Sequence, residues 1–105
     1  MIGILDYGLG NVGAFYNIYK RLNIPVCIVT DAEKIDSIDR LILPGVGSFD
    51  WAMNKLSSSG MLEELNKAVL DREIPILGVC VGMQMMAQES DEGRLKGLGW
   101  IDASV

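Results

Sequence analysis

Short apolar runs alternate with amphipathic stretches along this chain, and each run is closed by a turn signal. Ile2 to Tyr7 is a β-type run followed by the glycine-rich turn Gly8-Leu9-Gly10-Asn11, after which Val12, Phe15, Tyr16, Tyr19 and Leu22 recur at helical spacing. This predicts strand, turn, helix. Pro25 precedes Val26-Cys27-Ile28-Val29, rich in β-branched residues, and Thr30-Asp31 closes what reads as a second strand. The stretch from Asp31 to Asp39 is polar apart from Ile35 and Ile38. Leu41-Ile42-Leu43 then runs straight into Pro44-Gly45, which must stop a third strand.

From about Gly60 to Glu73, the positions Met61, Leu62, Leu65, Ala68, Val69 and Leu70 make one apolar stripe, with Glu63, Glu64, Lys67 and Asp71 facing out. The pattern predicts one amphipathic helix. Pro75 introduces Ile76-Leu77-Gly78-Val79, a continuous apolar run suited to a strand covered on both faces, and the residues after Cys80 and Gly82 read as helical to about Gln88. The order β-α-β-(α)-β-α-β-α predicts an α/β fold: a doubly wound, mostly parallel sheet with helices on both faces and ligands at the carboxyl ends of its strands. Gly97 to Val105 begins another strand-like run and stops without a helix cap or polar tail, so the domain is expected to be incomplete at the C-terminus.

Composition narrows the functions. The 105 residues hold one small domain at most, and 50% apolar with 22% charged residues is the balance of a chain that buries a core. A net charge of -5 and no basic run disfavour a nucleic-acid partner. No apolar stretch approaches bilayer length, and the start lacks a signal-peptide pattern, so no membrane association and a cytoplasmic location are expected. Cys27 and Cys80 both sit in strand-like runs and read as free thiols. The chain contains no histidine, so any imidazole base must come from elsewhere. No metal site and no cofactor are expected.

Three loops could carry chemistry. Gly8 to Gly13 spells G-x-G-x-x-G between strand and helix, with Asp31 at the end of the next strand, as in a dinucleotide-binding module. Asp6 argues against that reading because it sets a carboxylate near the pyrophosphate; a purely structural turn is the plainer alternative. Pro44-Gly45-Val46-Gly47-Ser48-Phe49 follows a buried strand, and its glycines let backbone N–H groups face a pocket or flip, although glycine and proline also end strands without any function. Gly78-Val79-Cys80-Val81-Gly82 has the spacing of a nucleophile elbow, a sharp strand-to-helix turn that lifts the central side chain to the sheet edge. A helix N-terminus beneath a thiol favours its anion, and the Val81 N–H is placed to donate to an oxyanion. A core thiol, the usual state of an unpaired cysteine, needs no flanking glycines; that plainer reading fits Cys27. Met83, Met85 and Met86 read as core filler, and Trp51 and Trp100 as semi-buried packing residues.

Taken together and in order, these loops resemble the class I, Cys-nucleophile glutamine amidotransferases, and among them the glutaminase subunits that serve imidazole glycerol phosphate synthase. The resemblance covers the whole chain and rests on Asp6 to Asn11, Pro44 to Phe49, Gly78 to Gln84, Glu89 to Gly93 and Gly97 to Trp100. It implies Cys80 as the catalytic nucleophile, an oxyanion hole at Val46 and Val81, and glutamine binding by Gly47, Gln84 and Glu92. It implies a heterodimer partner, a (β/α)₈-barrel synthase that receives ammonia through a channel in histidine biosynthesis, with the Pro44 to Gly47 loop as a switch. It also implies a late His–Glu pair that these residues lack, so this polypeptide alone is expected to be inactive. An ammonia acceptor of another kind, such as a surface-polysaccharide sugar, and a non-catalytic docking scaffold of the same fold remain open at this point.

Overall fold

The computed structural model describes residues 1–105. Four parallel strands, β1 (Ile2–Leu5), β2 (Val26–Val29), β3 (Arg40–Leu43) and β4 (Ile76–Gly78), lie in the order β2-β1-β3-β4. Ile4 stands level with Ile28 of β2 and Ile42 of β3, and Leu43 stands level with Gly78 of β4. From β1 the chain steps to β2 on one side and later to β3 on the other. The order therefore reverses between β1 and β3, where an open α/β sheet leaves a crevice at its carboxyl ends.

Alternation along each strand divides the core between two faces. Ile4, Val26 and Ile42 point to the face covered by α1 (Val12–Arg21), with Val12. Leu5, Val29, Leu41 and Leu43 point to the other face. That face is covered by α2 (Ala32–Ile35), α3 (Phe49–Ser58), α4 (Leu62–Asn66) and α5 (Val81–Met85), which contribute Ile35, Phe49, Leu56, Leu65 and Met85 to the same cluster. The doubly wound, parallel arrangement is thus the observed one.

Several elements differ from the sequence expectation. Helix α3 was not foreseen, yet Phe49, Ala52, Met53 and Leu56 are all buried at helical spacing, and Ser48 caps it by accepting from the Trp51 N–H at 3.2 Å. Such a cap contributes about 1 kcal/mol. The single helix expected over Gly60 to Glu73 is instead α4 followed by a wider π turn over Lys67–Asp71. Leu65 and Ala68 still face the core, so the stripe survives the change of pitch.

Strand β4 is not covered on both faces: it is the sheet edge, and Leu77 is 55% exposed because α1, the one helix on that face, packs over β1 and β2. Helix α5 ends at Met85, short of Gln88. Residues 97–105 form no strand; the chain folds back on itself through isolated bridges of Glu89 with Lys96 and Ser104. Met85 is buried and Met86 half-buried, but Met83 is exposed. Trp100 is half-buried and donates its indole N–H to Asn66 Oδ1 at 2.8 Å, whereas Trp51 lies on the surface with the Lys55 ammonium 5.3 Å from its ring centre.

Candidate active site at the elbow

Cys80 has φ 56° and ψ -124°, a left-handed backbone that a residue with a Cβ adopts only under strain, worth about 1–3 kcal/mol. Asn23 and Glu73 are the other non-glycine residues with positive φ, and both lie in exposed turns leading away from helices. Cys80 alone of the three sits at the carboxyl end of a strand. The turn presents its thiol to solvent, while Cys27 is half-buried.

Both glycines of the elbow are required by close approach. A Cβ on Gly78 would lie 2.6 Å from the Met83 Cα and 2.6 Å from the Met86 sulfur, so the helix after the turn could not return across the strand. A Cβ on Gly82 would drive into the Leu43 carbonyl oxygen at the end of β3. The strand-to-helix turn can therefore be this sharp only with glycine on either side of the cysteine.

The same logic locks the second loop to the elbow. A Cβ on Gly45 would fall 2.7 Å from the Gly82 N and 2.9 Å from the Tyr7 hydroxyl. Tyr7 is buried, and its phenol donates to the Pro44 carbonyl at 2.6 Å and lies 3.4 Å from the Met85 sulfur. Burial pushes its pKa up to about 12, so it stays a neutral donor. The first loop closes on the second at Gly10, where a Cβ would lie 2.7 Å from Pro44 Cβ.

Between these loops is a cavity of about 180 Å³. Gly10, Asn11 and Phe15 line it from the first loop and α1; Pro44, Gly45 and Val46 line it from the second loop; Val79 and Cys80 complete it. It occupies the reversal point of the strand order. A larger cavity of about 370 Å³ is lined by Gln88, Glu89, Lys96, Gly97 and Gly99 and shares no residue with the first. It holds no cysteine, whereas the smaller one is lined by Cys80.

The backbone N–H groups of Val46 and Val81 donate to no other group in the protein. Val46 lines the cavity and Val81 does not. Of the other residues singled out from sequence, Gly47 is exposed with φ 85°, Gln84 is half-buried on α5, and Glu92 is exposed on the loop after α5. None of those three lines the cavity. Of those that do, Gly10 and Asn11 were visible in sequence only as part of a glycine-rich turn, and Phe15 only as one position of the apolar stripe of α1.

That turn is poorly built for a dinucleotide. In the fingerprint the third glycine allows close packing of helix on strand, but a Cβ on Gly13 would meet nothing within 4 Å. Asp31 is spent on capping α2, accepting from the Lys34 N–H at 3.0 Å, and Asp6 accepts from the Gly8 N–H at 3.2 Å within its own turn.

Comparison with known proteins bears on the family and the fold. The profile of the SNO glutamine amidotransferase family matches residues 9–105. The imidazole glycerol phosphate synthase subunit HisH of Bdellovibrio bacteriovorus is 54% identical over 105 residues, which is 100% of this chain and 52% of that protein. The proteins of the same name from Leptospira interrogans and, as HisH 2, Methanococcus maripaludis are 52% and 48% identical, again over 100% of this chain and 52% of theirs. The chain thus spans about half the length of the curated relatives it matches. In fold it superimposes on a crystal structure of a glutamine amidotransferase with a TM-score of 0.79 at 24% identity, covering 98% of this chain and 54% of that one.

Proposed function

The chain belongs to the SNO glutamine amidotransferase family, and from that premise we propose that residues 1–105 are the N-terminal portion of one glutaminase domain whose nucleophile is Cys80. The observation that carries the reading is the exposed thiol held on a strained, left-handed turn beside a cavity walled by glycine loops. A buried structural cysteine needs none of these features.

In the proposed reaction the Cys80 sulfur adds to the side-chain amide carbon of glutamine, and the N–H groups of Val46 and Val81 receive the oxyanion. The tetrahedral adduct collapses and expels ammonia, the thiol proton passing by way of a base to the leaving nitrogen. Water then cleaves the γ-glutamyl thioester, releasing glutamate and restoring the thiol. Since the chain has no histidine, the base lies outside these residues, as the resemblance to enzymes with a late His–Glu pair implies. Gly47, Gln84 and Glu92 are assigned to substrate binding, Glu92 as the carboxylate that meets the ammonium of glutamine.

Relatives are named as subunits of imidazole glycerol phosphate synthase, and we assign the ammonia to that synthesis, in histidine biosynthesis. The assigned partner is a (β/α)₈-barrel subunit forming a heterodimer with lyase activity. A channel between the subunits would keep ammonia from protonating in water. No helix is long and apolar enough to cross a membrane, and the unpaired state of both cysteines supports a cytoplasmic location.

The test is to treat the complete domain, with its partner, with a glutamine-mimicking electrophile. Covalent modification at Cys80, lost in Cys80→Ser, is expected; an active protein whose Cys80 stays unmodified would overturn the proposal.

A further inference from the structure

The carboxylate of Asp50 grips the loop after α5 from across the molecule. Its Oδ1 accepts from the Arg94 N–H at 3.0 Å and the Leu95 N–H at 2.9 Å, and its Oδ2 accepts from the Arg94 N–H at 2.9 Å. These backbone donors, Arg94 first and Leu95 second, hold the Asp50 carboxyl below its ordinary pKa. Gly93 is fitted to the grip, since a Cβ there would stand 2.5 Å from Asp50 Oδ1 and 2.9 Å from the Phe49 ring.

Glu92 lies immediately before the gripped residues. Its own N–H donates to the Oγ of buried Ser90 at 3.2 Å, so its backbone is fixed on both sides. Its side chain is exposed and forms none of the ion pairs in the protein. A carboxylate on a braced backbone with no internal partner is available to an external cation.

Asp50 sits in the first turn of α3, four residues after Val46, so one short segment bears both the Val46 amide and the clamp on Glu92. The base of the loop is already closed without Asp50: the Gly97 N–H donates to the Gln88 carbonyl at 2.8 Å, and Glu89 bridges Lys96. The clamp therefore acts on the tip, where Glu92 is, rather than on the closure of the loop.

We propose that Asp50 is a positioning residue for glutamine, setting the Glu92 carboxylate at a fixed distance from the loop that carries Val46. This rests on the reading of Glu92 as the group that holds the substrate ammonium. Losing the clamp leaves the sulfur and the oxyanion donors in place and loosens the far end of the substrate site.

The experiment compares wild type, Asp50→Asn and Gly93→Ala in the complete domain with its partner synthase. The first variant keeps the shape and removes the charge; the second keeps the charge and crowds it out. Glutamine KM is expected to rise about 10-fold in both, with kcat changed by less than about twofold. Alkylation of Cys80 by iodoacetamide should proceed at the wild-type rate. Wild-type KM in both variants, or a fall in kcat at constant KM, would overturn the role of Asp50. Glu92→Gln in the same assay tells the failures apart: a raised KM there with wild-type KM in the other two variants strikes at Asp50 alone, whereas wild-type KM in all three strikes at the reading of Glu92.

Discussion

The phenol of Tyr7 donates a 2.6 Å hydrogen bond to the carbonyl of Pro44, 37 residues away, inside the protein. It joins the end of the first strand to the loop that carries Val46, and it fixes the Pro44–Gly45 peptide while leaving the exposed Val46–Gly47 unit beyond it unpinned. Tyr7→Phe should destabilise the fold by about 1–3 kcal/mol, because a buried carbonyl loses its donor. Urea denaturation checks this. The same variant should alter the alkaline limb of stability. The tyrosine's pKa is raised from 10.0 to about 12 on folding, so its stabilisation is complete below pH 10.0 and is lost as the pH rises towards 12. Removing the hydroxyl should flatten the decline in that window; an unchanged profile would show that Tyr7 does not stay protonated in the fold.

Cys80 offers a separate reading of strain. Because its φ is 56°, a glycine there relaxes the backbone while an alanine does not. Cys80→Gly should be more stable than Cys80→Ala by about 1 kcal/mol, and both should lack glutaminase activity in the complete domain. Equal unfolding midpoints would mean that the elbow stores no strain.

Gly82 permits no side chain, since its Cβ would occupy the place of the Leu43 carbonyl oxygen. Gly82→Ala should destabilise the fold, whereas Gly13→Ala, inside α1 and with nothing within 4 Å of the added Cβ, should leave it unchanged or raise its stability by up to about 1 kcal/mol. Paired thermal melts measure the difference, and similar melting temperatures would contradict the close approach of β3 and α5.

The 105-residue polypeptide itself contains an exposed Cys80 and no histidine. Peptide mapping after brief iodoacetamide treatment should find Cys80 modified well before the half-buried Cys27. The same preparation should release no steady ammonia from glutamine. Sustained release would show that the thiol needs no imidazole.

The strands and the elbow were legible in the sequence because their signals are local. Leu41-Ile42-Leu43 closed by Pro44-Gly45 is a strand whatever lies elsewhere, and glycines flanking Cys80 announce a turn too tight for side chains. Helix α3 carries an equally local signal, Ser48 as cap and Phe49, Ala52, Met53 and Leu56 as stripe, but it starts directly on the glycine loop, whose turn signal overlaps its first residues. The change from α4 to a π turn was not legible, because both geometries keep Leu65 and Ala68 on the buried side. Tyr7 and Asp50 escaped for a different reason. Their partners stand 37 and 44 residues away, and no local pattern encodes a hydrogen bond over that separation. Gly47, Gln84 and Glu92 came from resemblance, and the cavity walls of Gly10, Asn11 and Phe15 from the fold alone.

With every strand pointing the same way, the returns at Asn23 to Pro25, Asp36 to Asp39 and Arg72 to Pro75 all gather at the pole opposite the sulfur. That pole carries none of the groups assigned to chemistry. A fluorophore, an affinity handle or a linkage to a sensor surface belongs there, where it can report on the molecule without standing in the path of substrate.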